Sequence, residues 1–134
     1  MNYVILLTDR PESHGALDWT LETAAKLADD PAAVTVHIVL AAGADSPAGP
    51  NYTSPALATQ ARKRLDETGV KYELHDAETD LADQVVTLAA ETGAALVSLG
   101  LRRRSAAMKL LLGSHTQRIL LDAPCPVVGV KEPT

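Results

Sequence analysis

Ala94-Ala-Leu-Val-Ser-Leu99 runs into Gly100-Leu-Arg-Arg-Arg-Ser-Ala-Ala-Met-Lys-Leu-Leu-Leu-Gly-Ser114, and after a short helical stretch the chain reads Pro124-Cys-Pro-Val-Val-Gly-Val130. The first and last pieces are short, apolar runs that read as strands. Between them lie glycines, a hydroxyl and three consecutive arginines. These fall just outside the carboxyl end of a strand, where a parallel sheet presents an anion site.

Further strand-like runs precede this region at Tyr3–Leu7, Val34–Leu40 and Val70–Leu74. Helical spacing separates them, with Leu17, Leu21, Ala24 and Ala28 on one stripe and Leu81, Val85, Leu88 and Thr92 on another. Gly93 is placed to end the third helix. The alternation β-α-β-α-β-α-β-α-β predicts a five-stranded parallel sheet with helices on both faces, a three-layer α/β/α arrangement, because right-handed crossovers put successive helices there. Residues 1–134 read as one domain without repeats. The stretch from Ala41 to Pro55, with Gly43, Pro47, Gly49, Pro50 and Pro55, reads as a long loop, either a mobile lid or simple disorder, the latter being the default. The basic run Arg62, Lys63, Arg64 reads as a solvated helix face.

Twelve basic against seventeen acidic residues give a net charge of −5, which argues against a broad nucleic-acid footprint. One cysteine rules out an internal disulfide, and Cys125, between two prolines with no local base, reads as a buried structural thiol. His14, His37, His75 and His115 show no metal-ligand spacing along the chain, so no metal site is expected. His37 in particular reads as a satisfied core residue. The run Tyr3–Leu7 meets Asp9 and Arg10 too soon for a signal peptide or membrane span, and a cytoplasmic location without membrane contact is expected.

The carboxyl ends of the first and fourth strands are the places to look for chemistry. Thr8-Asp9-Arg10-Pro11 lacks Gly-x-Gly-x-x-Gly, which disfavours a dinucleotide site, and no P-loop motif occurs anywhere. Asp9 either accepts from an adenine amine or ribose hydroxyl, or caps a turn. Ser114-His-Thr-Gln117 matches a capping box, so Ser114 either binds an anion at a helix start or caps its own helix, capping being the default. Arg102, Arg103 and Arg104 read as phosphate clamps or as surface charge. Neither a nucleophile elbow nor a carboxylate pair at strand ends is present, so nothing demands catalysis.

Gly100-x-x-Arg103-x9-Gly113-Ser114, followed by Gln117-Arg-Ile-Leu-Leu-Asp-Ala-Pro-Cys-Pro-Val-Val-Gly-Val130, resembles the C-terminal signature of the universal stress protein family. The resemblance extends to Asp9 after the first strand and to Val36-His37-Ile38 in the second. It implies the adenine nucleotide alpha hydrolase-like fold with strand order 3-2-1-4-5 and a stress-response role. It also implies a site for ATP or another adenine nucleotide, with Mg alongside, and at most weak ATP hydrolysis. Carried over, adenine falls to Asp9 and the backbone of Ile38, ribose to Gly100, and phosphates to Gly113 and Ser114. Thr8, Leu99, Arg102, Arg103 and His115 flank them.

Arg103 stands where nucleotide-binding members have their second glycine. Its side chain either denies a triphosphate the close backbone approach, or Arg102 and Arg104 replace the lost backbone donors with charge-assisted hydrogen bonds. The alternative to a nucleotide-binding regulator is an interaction protein of the same fold, a homodimer through Val127, Val128, Gly129 and Val130 of the last strand. A phosphoacceptor receiver, built on Asp9, Asp76 and Lys131, is opposed by the missing acidic pair after the first strand.

Overall fold

The computed structural model describes residues 1–41, 55–78, 80–101 and 113–131. The elements are β1 (Asn2–Leu7), α1 (Pro11–Leu27), a short 3-10 turn (Pro31–Ala33), β2 (Thr35–Leu40), α2 (Pro55–Asp66), β3 (Lys71–Asp76), α3 (Leu81–Thr92), β4 (Leu96–Leu101), α4 (Ser114–Asp122) and β5 (Val127–Lys131). All five strands are parallel, in the order β3-β2-β1-β4-β5. The expected three-layer α/β/α class is thus the observed one. Of the long loop from Ala41 to Pro55, residues 42–54 lie outside the described residues, as do Arg102, Arg103 and Arg104.

Successive strand residues point to opposite faces, so β1, β2 and β4 each feed two cores. One face carries Tyr3, Ile5, Leu7, Val36, Ile38 and Leu40, and buries them against Leu17, Leu21 and Ala24 of α1 and Leu57, Ala61 and Leu65 of α2. The other carries Val4, Val39, Val97 and Leu99 under Leu81, Val85 and Ala89 of α3 and Ile119 of α4. Both helical stripes anticipated from spacing therefore reach the core. Double-sided burial explains why β1 from Tyr3 to Leu7 and β2 from Val36 to Leu40 are apolar on both faces rather than alternating, His37 being the one polar exception.

β4 begins two residues later than the sequence suggests. Gly93 at φ +61° closes α3 in a left-handed turn, with Gly93 N–H donating to Ala90 and Ala94 N–H to Ala89. This pair of bonds is a Schellman closure, and it takes up the start of the apolar run in reversing the chain. The strand then extends through Gly100 to Leu101, so Gly100 lies inside it and does not open the following loop. β3 likewise continues to Asp76, because His75 and Asp76 stay in register with Val39 and Leu40 of β2.

Candidate functional site

β1 leads to β2 on one side, whereas β4 returns to the other side of β1, so strand order reverses between β1 and β4. The ladder between these two strands ends at Ile5 opposite Ser98, although β1 continues to Leu7 and β4 to Leu101. Their carboxyl ends therefore stop pairing at the topological switch point, the place where doubly wound sheets have their ligand crevice.

The start of α1 is seated at this crevice through Gly100. A Cβ on Gly100 would lie 2.4 Å from the carbonyl carbon of Glu12 and 2.5 Å from the amide nitrogen of Ser13, closer than any real side chain tolerates. Gly100 is thus required by backbone-to-backbone packing of β4 on the first turn of α1. The connecting loop is held by hydroxyls. Ser13 Oγ accepts from Thr8 N–H at 3.0 Å and lies 2.8 Å from the carbonyl of Arg10, while Thr8 Oγ1 accepts from Arg10 N–H at 3.1 Å. Asp9, at the apex, is exposed, and its carboxylate has no hydrogen-bond partner among the described residues.

Two helix starts lack a side-chain cap. Arg10, the N-cap of α1, makes no capping bond, and Pro11 follows it as the first helical residue. At α4 the N-cap is Gly113 rather than Ser114, with Gln117 N–H donating to Gly113 O at 3.0 Å. The capping-box expectation is corrected here: Ser114 lies within the first turn, where its φ/ψ are helical, so its hydroxyl is exposed and not spent on capping. His115 beside it is half-buried. Arg118 of α4 donates to Asp80 at 2.8 Å and to Asp83, fixing this helix against the start of α3.

Of the residues singled out from sequence, Thr8, Asp9 and Gly100 are brought together at the β1/β4 crevice, and Gly113, Ser114 and His115 form the start of α4. Leu99 points away from α1 into the second core and is buried. Ile38 lies in mid-strand, in register with Ile5 and Leu74, with its side chain fully buried below the carboxyl edge. Arg102 and Arg103 lie outside the described residues.

Sequence reading missed one cluster altogether. Glu73 stands opposite His37 across the β2/β3 ladder, and His75 is two residues further on the same face of β3. Their ligand-type atoms all lie within 4.8 Å of one another. The available signal was the two-residue period of Glu73 and His75; the register that adds His37 is not visible in chain spacing. Burial, the largest influence, pushes the His37 imidazole pKa down, with the Glu73 carboxylate pulling it up. Cys125 is half-buried, and its desolvation raises the thiol pKa, in keeping with an unreactive role.

The all-parallel sheet of order 3-2-1-4-5 with flanking helices is the architecture of the adenine nucleotide alpha hydrolase-like fold. The Universal stress protein family model matches residues 2–131, and the chain belongs to that family. A universal stress protein of Mycolicibacterium smegmatis is 38% identical over 68 residues, covering 50% of this chain and 52% of that one. The chain spans about half the length of the curated relatives it matches. Among solved structures, a universal stress protein from Archaeoglobus fulgidus superposes with TM-score 0.71 at 21% identity, covering 98% of this chain and 93% of that one. Another from Archaeoglobus fulgidus, in complex with dAMP, gives TM-score 0.65 at 22% identity, with 98% of both chains covered. At these identities the likeness is one of fold.

Proposed function

We propose that the β1/β4 crevice binds an adenine nucleotide and that the protein acts as a nucleotide-responsive stress regulator. The observation that carries this reading is the end of β1/β4 pairing short of both carboxyl ends, with the exposed Asp9 carboxylate, which has no hydrogen-bond partner among the described residues, beside it. The start of α4, which has no side-chain cap, presents first-turn N–H groups that favour phosphate, and an exposed carboxylate suits an amine or hydroxyl donor. The exposed Ser114 hydroxyl at the start of α4 adds a further group for the phosphate end. The dAMP complex of a protein with the same fold supports the choice of an adenine ligand.

Calorimetric titration with ATP, ADP and AMP, with and without Mg, tests the reading. Binding by the parent that is lost in Asp9→Ala is the expected result. No heat with any of the three nucleotides at excess concentration overturns it, and Arg103→Gly then shows whether that side chain is the obstacle.

A second reading concerns assembly and follows from β5. This strand is an edge of the sheet, with Gly129 exposed and Val127, Val128 and Val130 only half-buried. Leu120 and Leu121 of the preceding helix are exposed at 45% and 82%. An unprotected apolar edge of this kind is covered by pairing with its twofold mate. Sedimentation at micromolar concentration checks it, and a monomer there overturns it.

A further inference from the structure

The face of the sheet that packs under α3 carries polar residues at its β2/β3 end. His37 there is buried, at 6% exposure, yet its Nδ1 has no hydrogen-bond partner among the described residues. Nδ1 lies 3.1 Å from Glu73 Oε2, but without the alignment of a hydrogen bond. The Nε2 of His75 is likewise buried and without a partner, 3.5 Å from the same carboxylate oxygen. Two imidazole nitrogens thus converge on one carboxylate without an aligned hydrogen bond among the described residues.

The tautomer of His37 is fixed from behind. Asn2 Nδ2 donates to the carbonyl of Thr92 at 2.9 Å, which orients the amide and leaves Oδ1 as an acceptor. His37 Nε2 lies 3.1 Å from that Oδ1, so the ring proton belongs on Nε2 and the lone pair on Nδ1. In the neutral ring a buried lone pair aimed at a carboxylate is a repulsive contact, relieved by a proton on Nδ1 or by a metal cation between the two. An imidazole held through its far N–H by an outer hydrogen bond is also the arrangement that metal-ligating histidines adopt.

We propose that His37 Nδ1, His75 Nε2 and the Glu73 carboxylate bind one divalent transition-metal ion of the zinc class, leaving a fourth coordination position open to water. Tetrahedral ligands at about 2.0–2.2 Å from an ion lie roughly 3.3–3.5 Å from each other. The carboxylate's separations of 3.1 and 3.5 Å from the two rings fall close to that value. The third edge, between the rings, lies within 4.8 Å and closes by movement of His75, whose side chain is 32% exposed. Two imidazoles with one carboxylate favour zinc, cobalt, nickel or copper over calcium and magnesium, which prefer all-oxygen sets. A cleft of about 400 Å³ lined by Asp83, Gln84, Thr87, Leu88 and Glu91 shares His75 with the cluster.

The site is independent of the nucleotide reading and is tested without nucleotide. The full chain, stripped with chelator, is titrated with Co²⁺ in visible absorption and back-titrated with Zn²⁺. One tetrahedral Co²⁺ per chain, displaced by Zn²⁺, is expected. His75→Ala and Glu73→Gln, both at accessible side chains, should each weaken binding about tenfold or more while circular dichroism stays that of the parent; Asn2→Ala, which frees the His37 ring, should cost roughly 10- to 100-fold. His14→Ala, on α1, should bind as the parent does. A folded parent that gives no Co²⁺ spectrum overturns the proposal, as does binding that survives His75→Ala with Glu73→Gln or falls equally in His14→Ala.

Discussion

Replacing Gly100 by Ala tests whether the crevice depends on the backbone contact beneath α1. Gly100 is not in the left-handed region, so the substitution adds no backbone strain, and its effect is purely steric. The new Cβ would start 2.4 Å from the carbonyl carbon of Glu12, where ordinary carbon contact is about 3.5–4.0 Å. β4 and the first turn of α1 must therefore separate by about 1 Å or more. Neither yields easily. β4 is held between β1 and β5, and α1 is anchored by Leu17, Leu21 and Ala24 in the core. Overpacking typically costs about 1–3 kcal/mol, and the upper end applies because the opposing atoms are backbone rather than a flexible side-chain tip. For a domain of this size that corresponds to a fall in Tm of roughly 10 °C. Gly113→Ala is the control, since a Cβ there meets nothing within 4 Å and φ is −62°, and it should stay within about 1 kcal/mol of the parent. Thermal and urea melts of the three proteins decide the matter. A Gly100→Ala protein melting within about 2 °C of the parent would refute the account of a rigid backbone contact.

Three further outcomes are expected. The buried Ser98 and Thr20 hydroxyls are 2.6 Å apart, and Thr20 donates its proton to Ala16 O, so Ser98 is the donor between them. Thr20→Val strands that donor and should cost about 1–3 kcal/mol, more than Ser98→Ala at about 1 kcal/mol, with the coupling read from a double-mutant cycle in urea. Asp80→Ala removes the α3 cap, which accepts from Asp83 N–H at 3.2 Å, and should cost about 1 kcal/mol by denaturant titration. The same capping bond, ahead of the Arg118 charge, holds the Asp80 carboxyl below its usual range against a desolvation that raises it. Its folded pKa being the lower one, this contribution is present above pH 3.8 and is lost as pH falls further; Asp80→Ala should therefore flatten the acid limb of the stability profile.

Most of the fold was legible because its signals are local. Apolar runs such as Val34–Leu40 and the glycine after α3 report burial and a left-handed turn wherever they occur. The site was legible only in part, because its determinants are contacts across the sheet. Gly100 stands out in the chain as the ribose glycine of the family motif, while its actual constraint, the Glu12–Ser13 backbone, is 87 or more residues away in sequence. Ser114 carries a capping motif, but a cap must have extended backbone, and Gly113 occupies that position with ψ 157°. His37 and His75 are unrelated by spacing and become neighbours only through the β2/β3 register.

The small residues of β4 connect these observations. On the face that meets α1, β4 presents Leu96, then Ser98, then Gly100, tapering toward the carboxyl end. Opposite them α1 offers Thr20 and Ala16 and, at its start, the bare backbone of Glu12 and Ser13. The Ser98–Thr20 bond sets the height of the helix in mid-strand, and the absence of a side chain at Gly100 lets its first turn drop onto the strand. Because β1 and β4 have stopped pairing by this level, the descending helix start lies at the gap between them. A larger residue at Ser98 or Gly100 would lift α1 and draw Thr8 and Asp9 with it through the Ser13 hydroxyl bonds. Under the proposed nucleotide reading, a stability defect at Gly100 should therefore be accompanied by weaker nucleotide binding, whereas a cavity made at distant Leu65 should lower stability alone, by about 2–5 kcal/mol for Leu65→Ala, and leave the affinity of the folded fraction unchanged.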